Sequence, residues 1–261
     1  MSTLLIIVIV GLLTGIAIAI VSRLFGTEAD PMEENLKALL PGANCGGCGF
    51  AGCGGYAKAL AEGTAKPGLC AAQKAEDLEK MVAMLGVAAE AKEPLVAVVM
   101  CNGDDINASR QAQYNGINDC RNAAIVAGGA KTCVFGCLGL GSCARVCPFG
   151  AIEITKHHIA VVHRELCRGC GRCVQVCPKK LIRLVPKSAE VNVLCSNPMK
   201  GPAKFKACKA ACIGCGKCVR EAPDNMHIDT GTSLAKVNYE NPPSEALANV
   251  CPTHALRKQI D

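Results

Sequence analysis

The sequence predicts an α+β protein with one N-terminal transmembrane helix, a small helical domain rich in cysteine, and two related units that contain β-hairpins. Three observations support this prediction. Residues 3–21 carry no charged side chain. Twenty cysteines lie in short groups along 261 residues. The spacing of cysteine and proline over residues 133–148 recurs 75 residues later, over residues 208–223, which indicates duplication of one supersecondary unit.

The apolar run at residues 3–21 predicts a membrane-spanning helix, since its length is close to the roughly 20 residues that cross a bilayer. No positive charge precedes it, as one does in a signal peptide, although Ala17-Ile18-Ala19 leaves a cleaved signal as the alternative. Arg23 on its C-terminal side favours an N-terminus outside the cell, and free thiolates favour a reducing compartment for the rest. We therefore expect residues 1–25 to be a single-pass anchor in the cell inner (cytoplasmic) membrane, with the bulk of the chain in the cytoplasm.

Residues 26–92 predict a small helical domain around a glycine-rich loop. Helices are expected over residues 33–40, 56–62 and 71–91. Three cysteines of the loop and a fourth beyond the next helix can close one [4Fe–4S] cluster, with glycine letting the backbone pass close to the inorganic core. A zinc site is the alternative. The expected ligands are Cys45, Cys48, Cys53 and Cys70.

Residues 93–187 contain the cysteine run of a bacterial two-cluster ferredoxin, in which three cysteines hold one [4Fe–4S] cluster and the fourth reaches a neighbouring one. A strand is expected over residues 94–100, a helix over 118–127 and a hairpin over 152–162. The run itself is Cys167-x2-Cys170-x2-Cys173-x3-Cys177-Pro178. It supplies one expected ligand set, which is Cys147, Cys167, Cys170 and Cys173.

The second expected set of this unit lacks the usual second cysteine of the run. Leu140 stands at that position, so Cys133 is expected to supply the ligand instead. This expected set is Cys133, Cys137, Cys143 and Cys177.

Residues 188–261 predict a second, partly degenerate ferredoxin-like unit with a hairpin over 226–237. Ala222 replaces the cysteine that would cross to a second cluster, and residues 242–250 contain no cysteine. One cluster is therefore expected, with the ligands Cys212, Cys215, Cys218 and Cys251. The chain as a whole is expected to bind about four [4Fe–4S] clusters.

Four cysteines remain outside these sets, namely Cys101, Cys120, Cys195 and Cys208. The simplest interpretation is that they are buried packing residues, as free cysteine often is. A further metal site, or an exchange of Cys208 for Cys215, stays open as an alternative. The prolines that follow Cys147, Cys177 and Cys251 are expected to end the ligand loops and begin helices.

Composition excludes several other functions. A disulfide scaffold is usually a short secreted chain, whereas this chain has 261 residues. Aromatic residues make up only 3% of the chain, and it contains no tryptophan. Basic and aromatic residues are not interleaved, so no nucleic-acid role is expected. No nucleotide loop, flavin fingerprint or acid–base group is visible, so no catalytic residue is expected. Four basic residues flank the cysteine runs, namely Arg168, Arg172, Lys179 and Lys180. They either guide an acidic redox partner or form a solvated face.

Two motifs, together with the apolar N-terminal helix, resemble the B subunit of the Rnf complex. The first is Pro-Gly-Ala-Asn-Cys-Gly-Gly-Cys-Gly-Phe-Ala-Gly-Cys at residues 41–53, and the second is the run from Cys133 to Phe149. The resemblance covers essentially the whole chain. It departs at the second unit, where Ala222 and residues 242–250 leave one cluster in doubt.

The resemblance implies an electron-transfer subunit of an ion-translocating oxidoreductase, with other subunits of a membrane complex as partners. Such a subunit accepts electrons from soluble reduced ferredoxin, and the complex couples their transfer to Na⁺ or H⁺ translocation. Two other functions remain possible from the sequence. One is a membrane-tethered polyferredoxin that serves an unrelated reductase, and the other is a corrinoid-reducing activator, although no cobalamin-binding DxHxxG pattern is present.

Overall fold

The computed structural model describes residues 2–25, 30–89 and 93–258. The first helix, α1, spans Ser2–Phe25. Its segment Leu5–Arg23 has a mean hydropathy of 2.9 and lies outside the protein interior. By length and composition, α1 can cross a membrane, which agrees with the predicted anchor helix.

Three helices form the small domain that follows: α2 (Pro31–Ala38), α3 (Gly52–Ala61) and α4 (Ala75–Leu85). Their apolar faces bury Leu36, Tyr56, Leu60 and Met81 in one core. The last helix is shorter than the predicted 71–91, because Gly86 adopts a left-handed conformation with φ 64° and caps its C-terminus.

The first repeated unit begins and ends with paired strands. Strand β1 (Leu95–Val99) pairs antiparallel with β4 (Ile182–Pro186), and β2 (Ile152–Ile154) forms a hairpin with β3 (Ala160–Val162). The strand and the hairpin predicted here are confirmed. Short helices connect the strands, and these are α5 (Cys120–Ile125), α6 (Ser142–Arg145) and α7 (Arg172–Val176).

The second unit repeats this topology. Strand β5 (Val191–Val193) pairs antiparallel with β8 (Leu256–Lys258), and the predicted hairpin is formed by β6 (Met226–Asp229) and β7 (Leu234–Val237). The connecting elements are α8 (Pro202–Ala207), α9 (Lys217–Glu221) and a 3-10 helix over Glu245–Val250.

The cores of both units combine aliphatic side chains with cysteines. In the first unit Cys143 and Cys173 pack with Val162 and Ile182. In the second unit Cys212 and Cys218 pack in the core with Met226 and Leu234. Cysteine sulfur therefore takes part of the volume that larger aromatic residues fill in other small domains.

Candidate iron–sulfur sites

Three cavities are each lined by four cysteines, and a fourth is lined by five, of which Cys170 also lines a neighbouring cavity. None of the twenty cysteines is in a disulfide. Each cavity thus gathers at least four free thiols, the donor set of a [4Fe–4S] cluster.

The N-terminal site is the cavity lined by Cys45, Cys48, Cys53 and Cys70, and Cys170 of the first central site also lines it. The Asn44 side-chain oxygen accepts a hydrogen bond from the Cys53 amide at 2.8 Å, which closes the glycine loop onto the start of α3. The Tyr56 hydroxyl donates to the Lys66 carbonyl at 2.8 Å and accepts from the Leu69 amide at 3.3 Å. These bonds hold the segment before Cys70 against α3, so the fourth cysteine faces the loop as predicted.

The first central site is lined by Cys147, Cys167, Cys170 and Cys173. The Ala97 amide of β1 donates to the sulfur of Cys167 at 3.3 Å, and the Ala151 amide donates to the sulfur of Cys147 at 3.4 Å. Gly169 has φ 62°, and a Cβ there would meet the Leu95 carbonyl at 2.5 Å. Only glycine fits this close approach of the ligand loop to the strand.

The second central site differs from the sequence expectation at one ligand. It is lined by Cys120, Cys137, Cys143 and Cys177. Cys133 was expected in this set, but it does not line the cavity. Cys120 was expected outside every set, and it lines the cavity in place of Cys133.

A short hydrogen-bond network explains why Cys120 reaches this site. The Cys120 amide donates to the Ser142 hydroxyl at 2.8 Å, and that hydroxyl donates to the Asp119 carboxylate at 2.9 Å. Asp119 also caps α5 by accepting from the Arg121 amide. Because Ser142 precedes Cys143, the network places the start of α5 beside the ligand loop. In the sequence, the only local signal for Cys120 was its place near the start of the helix expected over residues 118–127.

The C-terminal site brings together all four residues that the sequence predicted. Its lining cysteines are Cys212, Cys215, Cys218 and Cys251. The Leu256 amide of β8 donates to the sulfur of Cys251 at 3.4 Å. Gly214 has φ 67°, and a Cβ there would lie 2.6 Å from the Ser233 carbonyl, so the loop packs tightly on the hairpin.

The prolines after the ligand cysteines begin turns, so the prediction that they begin helices is wrong. Each of the three cysteine carbonyls accepts a bond from the amide three residues later, and that later residue has a positive φ. The turn then directs a following amide at the cysteine sulfur. The residues with positive φ are Gly150, Lys180 and His254.

Burial makes these cysteines poor thiolates without a metal. Burial raises the pKa of Cys143 and of Cys173 to about 12, and that of Cys137 to about 11. A bound metal reverses this preference, because a coordinated thiol is deprotonated, and loading therefore releases protons. Among the residues that the structure describes, no three His, Cys, Asp or Glu side chains come close enough to hold a single metal ion. The sulfurs instead surround cavities, an arrangement that fits a polynuclear cluster.

The basic residues beside the central sites are not equivalent. The Lys179 ammonium donates to the Val134 carbonyl at 2.7 Å and lines the second central site. Desolvation lowers the pKa of this lysine. Arg168, Arg172 and Lys180 are exposed, and both arginines also line the first central site.

Comparisons with known proteins indicate Fe-S cluster binding in two segments of the chain. An Fe-S cluster family model matches residues 40–72, and a model of the LdpA Fe-S cluster-binding domain matches residues 141–188. The chain is 40% identical to the B subunit of a proton-translocating ferredoxin:NAD(+) oxidoreductase complex from Clostridium ljungdahlii, over 78% of this chain and 72% of the relative. It is 40% identical to the B subunit of the Na(+)-translocating complex of Acetobacterium woodii, over 77% of this chain and 61% of that relative. It is 33% identical to the B subunit of an ion-translocating oxidoreductase complex from Methanosarcina acetivorans, over 94% of this chain and 93% of the relative.

Proposed function

The chain belongs to the B-subunit family of Rnf-type ion-translocating oxidoreductase complexes, and from this premise we propose its role in electron transfer. The protein accepts electrons from reduced ferredoxin and passes them to other subunits of a membrane complex that translocates Na⁺ or H⁺. The observation that carries this proposal is the set of four cavities, each lined by at least four cysteines.

The proposed ligands are fifteen of the sixteen cysteines expected from the sequence, with Cys120 in place of Cys133. When bound, [4Fe–4S] clusters supply one-electron transfer. The protein contributes the thiolates, which Cys143 and Cys173 present from the core, and amide hydrogen bonds to sulfur such as the one that Ala97 donates to Cys167. Such bonds stabilise the more negative reduced form and so raise the reduction potential.

The proposed domains are an anchor at 1–25, an N-terminal cluster domain at 26–92, and tandem ferredoxin-like units at 93–187 and 188–261. The pairing of first and last strands supports the two units, since β1 joins β4 and β5 joins β8. The apolar helix α1 supports membrane anchoring. The remainder of the chain faces the cytoplasm in this proposal, where soluble ferredoxin reaches it.

The N-terminal site is the proposed link to the membrane subunits. Its loop packs directly on the first central site, because a Cβ on Gly47 would lie 2.9 Å from the Cα of Cys170. Cys45 also interacts electrostatically with Cys170. The N-terminal domain thus lies in contact with a ferredoxin-like unit and next in sequence to the anchor.

The test is the Cys48→Ala variant in the assembled complex. Reduced ferredoxin is expected to bleach the visible absorption of the remaining sites, while electron delivery to the membrane subunits stops. Lys58→Ala, on the exposed face of α3, is the matched control and should leave both unchanged. Undiminished delivery with the N-terminal site shown to be empty contradicts the relay. Absence of bleaching by ferredoxin contradicts the proposed donor.

A further inference from the structure

The four cysteines outside the four sites described above come from equivalent places in the two units. Cys101 lies two residues after β1, and Cys195 lies two residues after β5. Each donates its amide to the last carbonyl of its strand, at 2.7 and 2.9 Å respectively. Cys133 and Cys208 are the pair related by the 75-residue repeat. Each unit therefore contributes two cysteines at matching positions.

Backbone contacts between the units bring these segments together. The Asn102 amide donates to the Leu194 carbonyl at 2.9 Å, which joins the turns that carry Cys101 and Cys195. Ala108 forms an isolated antiparallel bridge with Cys208. The segment 104–109, which follows Cys101, thus runs beside the segment that ends α8.

Two of the four sulfur atoms meet at Gly103 in this junction. The sulfurs of Cys208 and Cys101 lie 3.3 and 3.6 Å from the position that a Cβ would take on Gly103. Cys133 interacts electrostatically with both Cys101 and Cys208, and Cys208 also interacts with Cys195. Cys195 packs against the core cluster that contains Cys208, and Asn197, two residues after Cys195, donates to the sulfur of Cys133. The four cysteines therefore form one group at the interface of the two units.

We propose that Cys101, Cys133, Cys195 and Cys208 hold a fifth [4Fe–4S] cluster, at a position that we call the bridging site. This inference takes the four ligand sets of the proposed function as given.

Hydrogen bonds to sulfur at the bridging site match those of the other sites. The amides of Gly103 and Cys137 each donate to the sulfur of Cys101 at 3.4 Å. The Asn197 side-chain amide donates to the buried sulfur of Cys133 at 3.5 Å. Packing cysteines need no such donors, whereas cluster ligands use them to stabilise charge on sulfur.

Two buried lysines supply positive charge beside this group. Lys131 and Lys204 are each 3% exposed, and neither forms an ion pair with a carboxylate in the described part of the chain. The Lys131 ammonium donates to the Gly103 carbonyl at 2.6 Å and interacts electrostatically with Cys101 and Cys208. Lys204 interacts in the same way with Cys195. Buried cations need compensating negative charge, and a cluster held by four thiolates carries it.

A single zinc ion fits the arrangement less well. Zinc needs its four sulfurs within about 2.3 Å of one point, and no group that tight exists among the residues described. A disulfide is also absent here, since all four cysteines are free. A cube-shaped cluster accepts sulfurs that stand farther apart.

The position of the bridging site gives it a function. Its Cys101 packs in the same core as Cys137 of the second central site and accepts the Cys137 amide. Its Cys195 interacts with Cys212 of the C-terminal site and packs against that core. The bridging site thus joins the C-terminal site to the central sites. Because electron tunnelling falls off exponentially with distance, a cluster here completes a continuous path from the second unit to the first.

Iron and sulfide counts of the full chain, purified anaerobically in detergent, test the proposal. We expect about 20 iron atoms per chain, four for each of five clusters, where four clusters give about 16. The iron count of the unmodified chain tests the proposal by itself, so the result does not depend on whether any cysteine variant folds. About 16 iron atoms in a fully loaded chain, or zinc in stoichiometric amount, overturns the bridging site.

Cysteine variants separate the bridging site from the others. Cys101→Ala and Cys208→Ala are each expected to lose about four iron atoms, and the double variant also about four, because both residues hold one cluster. Combining Cys208→Ala with Cys215→Ala should remove about eight, since these residues belong to different sites. Phe205→Ala, an exposed neighbour on α8, is the matched control and should retain all iron.

The outcomes also distinguish this inference from the proposed function. Unchanged iron in Cys101→Ala, with the expected loss in Cys215→Ala, overturns the bridging site and leaves the four ligand sets intact. Retention of iron in Cys215→Ala contradicts the ligand sets themselves.

Discussion

The two strand-paired units share a framework but differ in how many four-cysteine cavities they enclose. The first holds both central sites, and the second holds the C-terminal site alone. Where the first unit has Cys147, the second has Ala222, and the 3-10 helix of the second unit occupies the chain position of α7 and its ligand loop. In the second unit Leu247 from that helix packs with Met226 and Leu234.

This comparison shows that one half of a unit can enclose either a four-cysteine cavity, as in the first unit, or packed apolar side chains, as in the second. The outer strand pair and the central hairpin are kept in both units. Loss of the ligands is therefore compatible with the fold as long as apolar side chains replace the buried volume. Metal binding and hydrophobic burial both offset the entropy of ordering a small domain.

The largest expected effect comes from the site that the second unit lacks. Cys170→Ala should lose about four iron atoms and stop electron delivery to the membrane subunits, because this ligand loop packs on Gly47 of the N-terminal site. Iron analysis and turnover of the assembled complex measure the two effects. Gln175→Ala, exposed on α7, is the control. Normal turnover with the first central site shown to be empty would mean that electrons reach the N-terminal site by another path.

Cys120→Ala tests the ligand exchange in the first unit. The variant should lose about four iron atoms, and Cys120→Ala combined with Cys133→Ala about eight, because the two cysteines serve different sites. Arg121→Ala, at the next exposed position of α5, should keep its iron. If Cys120→Ala retains all iron, the set based on Cys133 that the sequence predicted is correct.

The difficulty of predicting Cys120 shows what the sequence can and cannot indicate. Ligand runs such as 167–173 and 212–218 are local, so their spacing alone predicts which sulfurs share a cavity. The hairpins follow from short apolar runs. Cys120 reaches its site through the bond between its amide and Ser142, which is a tertiary contact over 22 residues. The gathering of Cys101 and Cys195 likewise depends on how the two units pack, which no periodicity specifies.

Leu247→Ala measures the apolar filling of the second unit. Truncating this buried leucine should lower the free energy of unfolding by about 2–4 kcal/mol without changing iron content, because Leu247 is 8% exposed and donates no ligand. Denaturant titration of the loaded protein under anaerobic conditions gives the value. The exposed Asn249→Ala on the same 3-10 helix should change stability little. Loss of iron in Leu247→Ala alone would show that this half of the unit supports the C-terminal site directly.

The smallest expected effect is electrostatic and concerns the turn after the last ligand of each unit. The first unit has Lys179 two residues after Cys177, and the second has Thr253 two residues after Cys251. Since the Lys179 ammonium lines the second central site, its positive charge stabilises the more negative, reduced form of a bound cluster. Lys179→Thr should therefore lower the potential of that site by tens of millivolts, on the order expected for one charge at partly screened range. Redox titration followed by EPR resolves the shift, and Lys180→Asn, at an exposed position whose positive φ asparagine tolerates, should produce a smaller one. An equal shift in both variants would mean that the overall surface charge, and not the position of Lys179 at the cavity wall, sets the difference in reduction potential between the two units.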